Sequence, residues 1–321
     1  MVSSPIHICG LPRQDYGVST TMVIGGKYRL SVAARTADAP GHIGNEDNFL
    51  ISPGFLGIYD GVGGNPCGEL ASYISSICYG IYSVRSDPKL VQWFLNQPFV
   101  TENPALLESL RGFYASLTPT TSLEDVMQAT HCLLNEESDR RELLEPMATT
   151  FAVVDLTSPE GRSHFQGNSQ IAFFSDDGGG SITNEDSSSA VDGRNRKTGA
   201  RLSFDEVLYD SERHYLRYAI GGIEPNRDRA ASSIHLYDGM NLLLFTDGLE
   251  YCNPEERDRE FCVLDAMRLA RPILGNRSIS CLERVNMAAD AIIGKAISLK
   301  GGRNFSDECT ILCGRLESLR E

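Results

Sequence analysis

Short apolar runs with strand-like composition alternate along this chain with longer runs in which apolar residues recur every three or four positions. The short runs predict strands at Arg29–Arg35, Asn48–Ser52, Phe55–Tyr59, Ala148–Asp155, Ser163–Gln166 and Ile171–Ser175. Two more, Ser233–Tyr237 and Asn241–Phe245, flank Asp238-Gly239 and read as a hairpin. A last buried strand runs to Cys313, entered from Asp307. The helical period appears in Gly68–Val84, where Leu70, Ala71, Ile74, Ile77, Cys78 and Ile81 share a face. A second helix starts at Thr121 or Ser122 with N-capping chemistry and runs to Leu144. Two further helices are expected near Arg259–Arg271, ended by Pro272, and over Ser278–Leu299.

Three stretches lack a clear period. Residues 1–27 read as an N-terminal extension or loosely attached arm. Residues 85–120 are broken by prolines at 88, 98, 104 and 119 and are hard to read; a short helix over Leu106–Leu117 is one expectation and an insert used for partners another, with nothing in the sequence to identify a partner. From Asp176 the composition turns to Asp, Gly, Ser and Asn, which predicts a flexible flap over 176–215.

A length of 321 residues admits one large domain or two ordinary ones, and 41% hydrophobic content is ample for a core. The balance of 29 basic against 43 acidic residues, −14 formally, argues against nucleic-acid binding through phosphate contacts. The cysteines at 9, 67, 78, 132, 252, 262, 281, 309 and 313 are scattered, odd in number and without a C-x-x-C pair, which fits a reduced compartment. No apolar stretch has membrane-spanning length, and the N-terminus lacks a basic-then-apolar signal pattern. The expectation is a soluble, cytoplasmic protein.

Candidate chemistry lies where apolar runs stop. Phe55-Leu56-Gly57-Ile58-Tyr59 ends in Asp60-Gly61-Val62-Gly63-Gly64. A carboxylate at a strand end, followed by a glycine that lets the backbone bend, offers hard oxygens to a Mg²⁺- or Mn²⁺-like ion. Asp-Gly is also a strong hairpin signal, and taken alone the stretch reads first as a turn. The pattern then recurs: Leu242-Leu243-Leu244-Phe245-Thr246-Asp247-Gly248 is again an apolar run ending in Asp-Gly. Asp307 precedes the last strand, so antiparallel pairing would put Asp60, Asp247 and Asp307 at one edge of a sheet. Glu46 and Asp47, one hairpin away, could reach the same point.

The order Asn45-Glu46-Asp47, Asp60-Gly61-Val62-Gly63-Gly64, Ala148-Thr149-Thr150, Gly167-Asn168-Ser169-Gln170, Thr246-Asp247-Gly248-Leu249 and Asp307-Glu308-Cys309-Thr310 resembles the metal-dependent protein phosphatase 2C (PPM) family, in its bacterial-type branch. The resemblance implies a phosphatase 2C-like catalytic domain over 28–317. Its expected fold is α+β, a four-layer α/β/β/α sandwich of two antiparallel sheets flanked by helix pairs. It implies two Mn²⁺ or Mg²⁺ ions: Asp60 bridging both, the Gly61 carbonyl binding one, Asp247 and Asp307 completing the other, and Glu46 with Asp47 holding water. The implied reaction is hydrolysis of phosphoserine or phosphothreonine in a protein substrate, with room for a regulatory protein partner.

The sequence departs from the family in three places. Members usually carry an Arg four residues before the Glu; here it is His42, a weaker and pH-dependent phosphate grip. Asn168 stands where an Asp helps bind a third metal, and Tyr218-Ala219-Ile220-Gly221-Gly222 ends in Gly rather than Asp. These changes leave a second expectation, a metal-binding pseudophosphatase that recognises a partner without turnover.

Overall fold

The computed structural model describes residues 6–8, 16–37, 45–63, 66–158, 160–183, 193–194, 198–203, 206, 216–249, 261–300 and 308–319. Two antiparallel sheets pack face to face. The first has the order β1-β4-β5-β6-β7-β11, with β10 also on β6: β1 (His7–Ile8), β4 (Asp47–Ser52), β5 (Phe55–Gly61), β6 (Ala148–Asp155), β7 (Gly161–Gln166), β10 (Ile220–Gly221) and β11 (Ser232–Ile234). The second runs β2-β3-β13-β12-β8-β9: β2 (Tyr16–Ile24), β3 (Tyr28–Ala37), β13 (Cys309–Ser318), β12 (Asn241–Phe245), β8 (Gln170–Phe174) and β9 (Gly180–Ile182).

Helices α1 (Gly68–Ser83) to α5 (Leu123–Arg140) cover the outer face of the first sheet, and α6 (Val263–Leu274) with α7 (Cys281–Lys300) covers the second. This is the expected four-layer sandwich. The period of two explains the layering. In β5, Leu56 and Ile58 face the second sheet while Phe55 and Tyr59 face the helices. Among the described residues, no helix is long and apolar enough to cross a membrane.

Four expectations are corrected. Part of the supposed arm is sheet: β2 pairs with β3 from Tyr16↔Thr36 to Ile24↔Tyr28, and β1 pairs with β4. Local polarity hid this, because Ser19, Thr20 and Thr21 interrupt the apolar run of an edge strand. Three of the four prolines of 85–120 start helices rather than break them, and Pro119 lies in a turn. Pro88, Pro98 and Pro104 open α2 (Pro88–Leu95), α3 (Pro98–Glu102) and α4 (Pro104–Ser116), where a missing N–H costs nothing. Phe94, Leu106 and Leu110 are buried in the helical layer, and a Cβ on Gly80 of α1 would meet the Phe94 ring at 2.2 Å, so the segment is integral to that layer.

The strands around Asp238-Gly239 are no hairpin. β11 pairs with β7 in one sheet while β12 pairs with β13 and β8 in the other, so this turn carries the chain between layers. Pro272 lies inside the last turn of α6 rather than ending it. The capping of α5 is as expected: Ser122 and Asp125 form a reciprocal capping box. Of the expected flap, 184–192, 195–197, 204–205 and 207–215 lie outside the described residues.

Candidate metal centre

The first half of the site comes from the β4–β5 hairpin. Asp47 is directly opposite Asp60, and Asp60 is in turn opposite Thr150 of β6. By alternation all three side chains stand on the face of Leu56 and Ile58, at the end of the gap between the sheets. Asp47 and Asp60 are both buried. Two carboxylates facing each other across a ladder repel unless something positive or a proton lies between them.

The turn after Asp60 is tightly packed. The Gly61 N–H donates to the Glu46 carbonyl at 3.2 Å, and the Val62 N–H donates to the Ala148 carbonyl at 3.0 Å. A Cβ on Gly61 would stand 2.4 Å from the Gly68 backbone, so only glycine lets α1 begin against the strand end. The Glu46 carboxylate lies beside Gly68, and the Ser72 hydroxyl donates to the Glu46 carbonyl at 2.6 Å. Cys67 sits at the start of α1, where burial raises its thiol pKa.

The second half comes from the other sheet. β12 ends at Phe245, and Asp247 opens a single 3-10 turn, Asp247–Leu249. Gly248 passes so close to the start of β13 that a Cβ there would lie 1.4 Å from the Glu308 carbonyl oxygen. Asn168, in the turn between β7 and β8, donates its Nδ2 to Asp247 Oδ2 at 2.5 Å. Its own Oδ1 is buried with no hydrogen-bond partner.

The two halves are stitched by a buried ring. Thr246 Oγ1 donates to Asp47 Oδ2 at 2.8 Å and accepts from the Thr310 N–H at 3.0 Å. Thr310 Oγ1 donates to Thr36 Oγ1 at 2.8 Å, and Asn45 Nδ2 donates to the same oxygen at 2.7 Å. The Asp47 N–H closes the ring by donating to Asn45 Oδ1 at 2.8 Å. Burial pushes the Asp47 carboxyl up to about 7; the hydroxyls of Thr246 and Thr310 pull it back, and the charges of Glu308 and Asp247 raise it further.

Asp47, Asp60, Glu46, Gly61 and Asp247 thus gather at one end of the sandwich. They do not share one edge of one sheet, as antiparallel pairing suggested: Asp60 belongs to the first sheet and Asp247 to the second. Asp307 and His42 lie outside the described residues. Among the described residues no three His, Cys, Asp or Glu side chains form a ready-made cation cluster. Sequence reasoning gave no role to Thr36, Thr310 or Glu308, and the only pointer was that Thr246 directly precedes Asp247.

The donor set is nonetheless all oxygen. Facing carboxylates, an acid raised to about 7 and an orphaned amide oxygen beside Asp247 suit a hard divalent cation.

No protein-family model and no curated protein matches this sequence. Solved structures do match. The serine/threonine phosphatase PstP/Ppp of Mycobacterium tuberculosis superposes with a TM-score of 0.59 at 18% identity, covering 90% of this chain and 99% of that one. The catalytic domain of PstP in complex with two manganese ions gives 0.54 at 16% identity, covering 90% and 99%. Serine-threonine phosphatase 2C of Toxoplasma gondii gives 0.55 at 15% identity, covering 94% and 99%. The chain has the fold of the PPM Ser/Thr phosphatases.

Proposed function

We propose that this protein is a metal-dependent phosphoprotein phosphatase acting on phosphoserine and phosphothreonine. The observation that carries the reading is the pair Asp47 and Asp60, facing each other at the mouth of the sandwich with Asp247 brought in from the opposite sheet. In this reading Asp60, the Gly61 carbonyl, Asp247 and Asp307 would hold two divalent cations. When bound, such cations supply charge stabilisation at the phosphoryl oxygens and a water acidic enough to attack phosphorus near neutral pH.

The chain's own groups do the rest. Glu46 and Asp47 orient water at the mouth, Asp47 being held in place by the hydrogen bond it accepts from Thr246. Asn168 holds Asp247 in one rotamer through its 2.5 Å hydrogen bond. His42 is assigned the grip on the substrate phosphate, as a single donor rather than a fork. The partner class is a phosphoprotein.

The test is phosphate release from a library of Ser/Thr phosphopeptides with Mn²⁺, with Mg²⁺ and with chelator. Metal-dependent release that disappears in Asp247→Ala is expected. Equal release from wild type and Asp247→Ala would remove catalysis from this site. Mn²⁺ binding without release from any peptide would move the assignment to a pseudophosphatase.

A further inference from the structure

The oxygens assigned to the cations come from two sheets, and no backbone ladder joins β4 and β5 to β12 and β13. Between the sheets the contacts are apolar side chains such as Phe49, Ile58, Leu244 and Leu312, which favour closeness without dictating an exact offset. A cation tolerates far less slack, since its ligand distances are set to a few tenths of an ångström.

We propose that the ring Asp47–Thr246–Thr310–Thr36–Asn45 is the positioning device that sets the sheet-to-sheet offset at the metal end. Asn45 and Asp47 belong to the first-sheet side; Thr36, Thr310 and Thr246 belong to the second. All five residues are buried, with relative exposures between 0% and 4%. Each link has a direction. Thr246 Oγ1 gives its proton to Asp47 and takes the Thr310 N–H, so both of its roles are used. The Thr246 backbone is held as well, its N–H donating to the Thr310 carbonyl at 3.1 Å and its carbonyl accepting from the Leu249 N–H at 3.1 Å. Thr246 is therefore pinned at four points, and Asp247 is the next residue. Asp47 is held by the Thr246 side chain and Asp247 by the Thr246 backbone, so one residue locates both.

The ring touches no substrate; it acts through the carboxylates, and so it rests on the metal-centre reading above. Hydrogen-bonding partners behind metal ligands typically account for 10- to 100-fold in affinity. A valine in place of threonine keeps the shape and deletes the hydroxyl, while serine keeps the hydroxyl.

The experiment is a calorimetric titration of the full chain with Mn²⁺ alone, alongside the thermal midpoint of each variant. Thr246→Val is expected to weaken Mn²⁺ binding by about 10-fold or more, and Thr246→Ser to recover to within about threefold of wild type. Thr36→Val contacts no carboxylate in the ring, yet it is expected to lose about threefold, because it breaks the ring on its far side. If Thr246→Val does not fold, Thr36→Val decides the matter alone. Variants that melt earlier but bind Mn²⁺ as wild type does would make the ring merely structural and overturn the proposal. No binding by the wild-type chain would instead overturn the metal centre itself.

Discussion

The β12–β13 ladder treats acidic residues in opposite ways at its two ends. At the far end, Asn241 pairs with Arg315, and the buried Arg315 guanidinium grips Asp176 with two hydrogen bonds, Nη1 to Oδ1 at 2.8 Å and Nη2 to Oδ2 at 2.9 Å. Arg315 also donates to Asn241 Oδ1 at 2.7 Å, and Arg284 bonds Glu317 beside it. At the near end, the strands deliver Asp247 and Glu308 toward Asp47, so acid is set beside acid. Guanidinium hydrogen bonds hold Asp176 below the usual carboxylate range, whereas burial lifts Asp47 to about 7. One end is built for stability. The other gathers acids, an excess of negative charge that fits the proposed cations and costs the metal-free fold stability.

The first effect that tests this contrast is stabilisation by metal. Mn²⁺ at about 100 times its dissociation constant should stabilise the wild-type protein by about 2.7 kcal/mol, read as a rise in melting temperature that chelator reverses. Asp60→Asn should abolish the rise while leaving the metal-free protein at least as stable, since it removes a charge opposite Asp47. A metal-free Asp60→Asn protein that melts well below wild type would mean that the near end is held together by its carboxylates after all.

At the far end the roles reverse. Arg315→Met should cost about 2 kcal/mol in urea denaturation, less than a fully buried pair would, because the Asp176 side chain is 36% exposed. Phosphate release per folded molecule should stay as in wild type. A drop in that specific activity would show that the two ends communicate.

A third test of the contrast is in pH. Asp176 has a lowered folded pKa, so its contribution is present above the unfolded carboxylate value near about 4 and is lost as pH falls through the folded value. Asp47 has a raised one, so metal-free stability falls as pH climbs from about 4 to about 7 and levels off above it. Denaturation midpoints against pH in chelator should therefore show two limbs of opposite slope. Arg315→Met should flatten the acid limb and Asp47→Asn the neutral one; any other pairing contradicts the assignment.

What could be read from the sequence was what depends on neighbours in the chain. The β4–β5 hairpin, the α5 capping box and the carboxylates closing apolar runs at Asp60 and Asp247 are all local signals. Elements decided by distant partners were misread. β11 and β12 flank one turn, but each takes its partner from a different sheet, which Asp238-Gly239 cannot announce. β2 is a strand because β3 offers it a ladder, not because its own residues insist. The ring around Asp47 was invisible for the same reason, since Thr36 and Thr310 meet across 274 residues of chain.

β13 lies in the middle of its sheet, between β3 and β12, although it is the last strand in the sequence. A ribosome therefore releases β3 and β12 long before the strand that joins them. Until residues 309–318 emerge, both strands present raw edges, open to pairing with another nascent chain. The same strand brings Thr310 to the ring and is preceded by Glu308, so the sheet and the site are completed in one late event. Chains stopped short of it should be prone to aggregate and should lack the ring that holds Asp47.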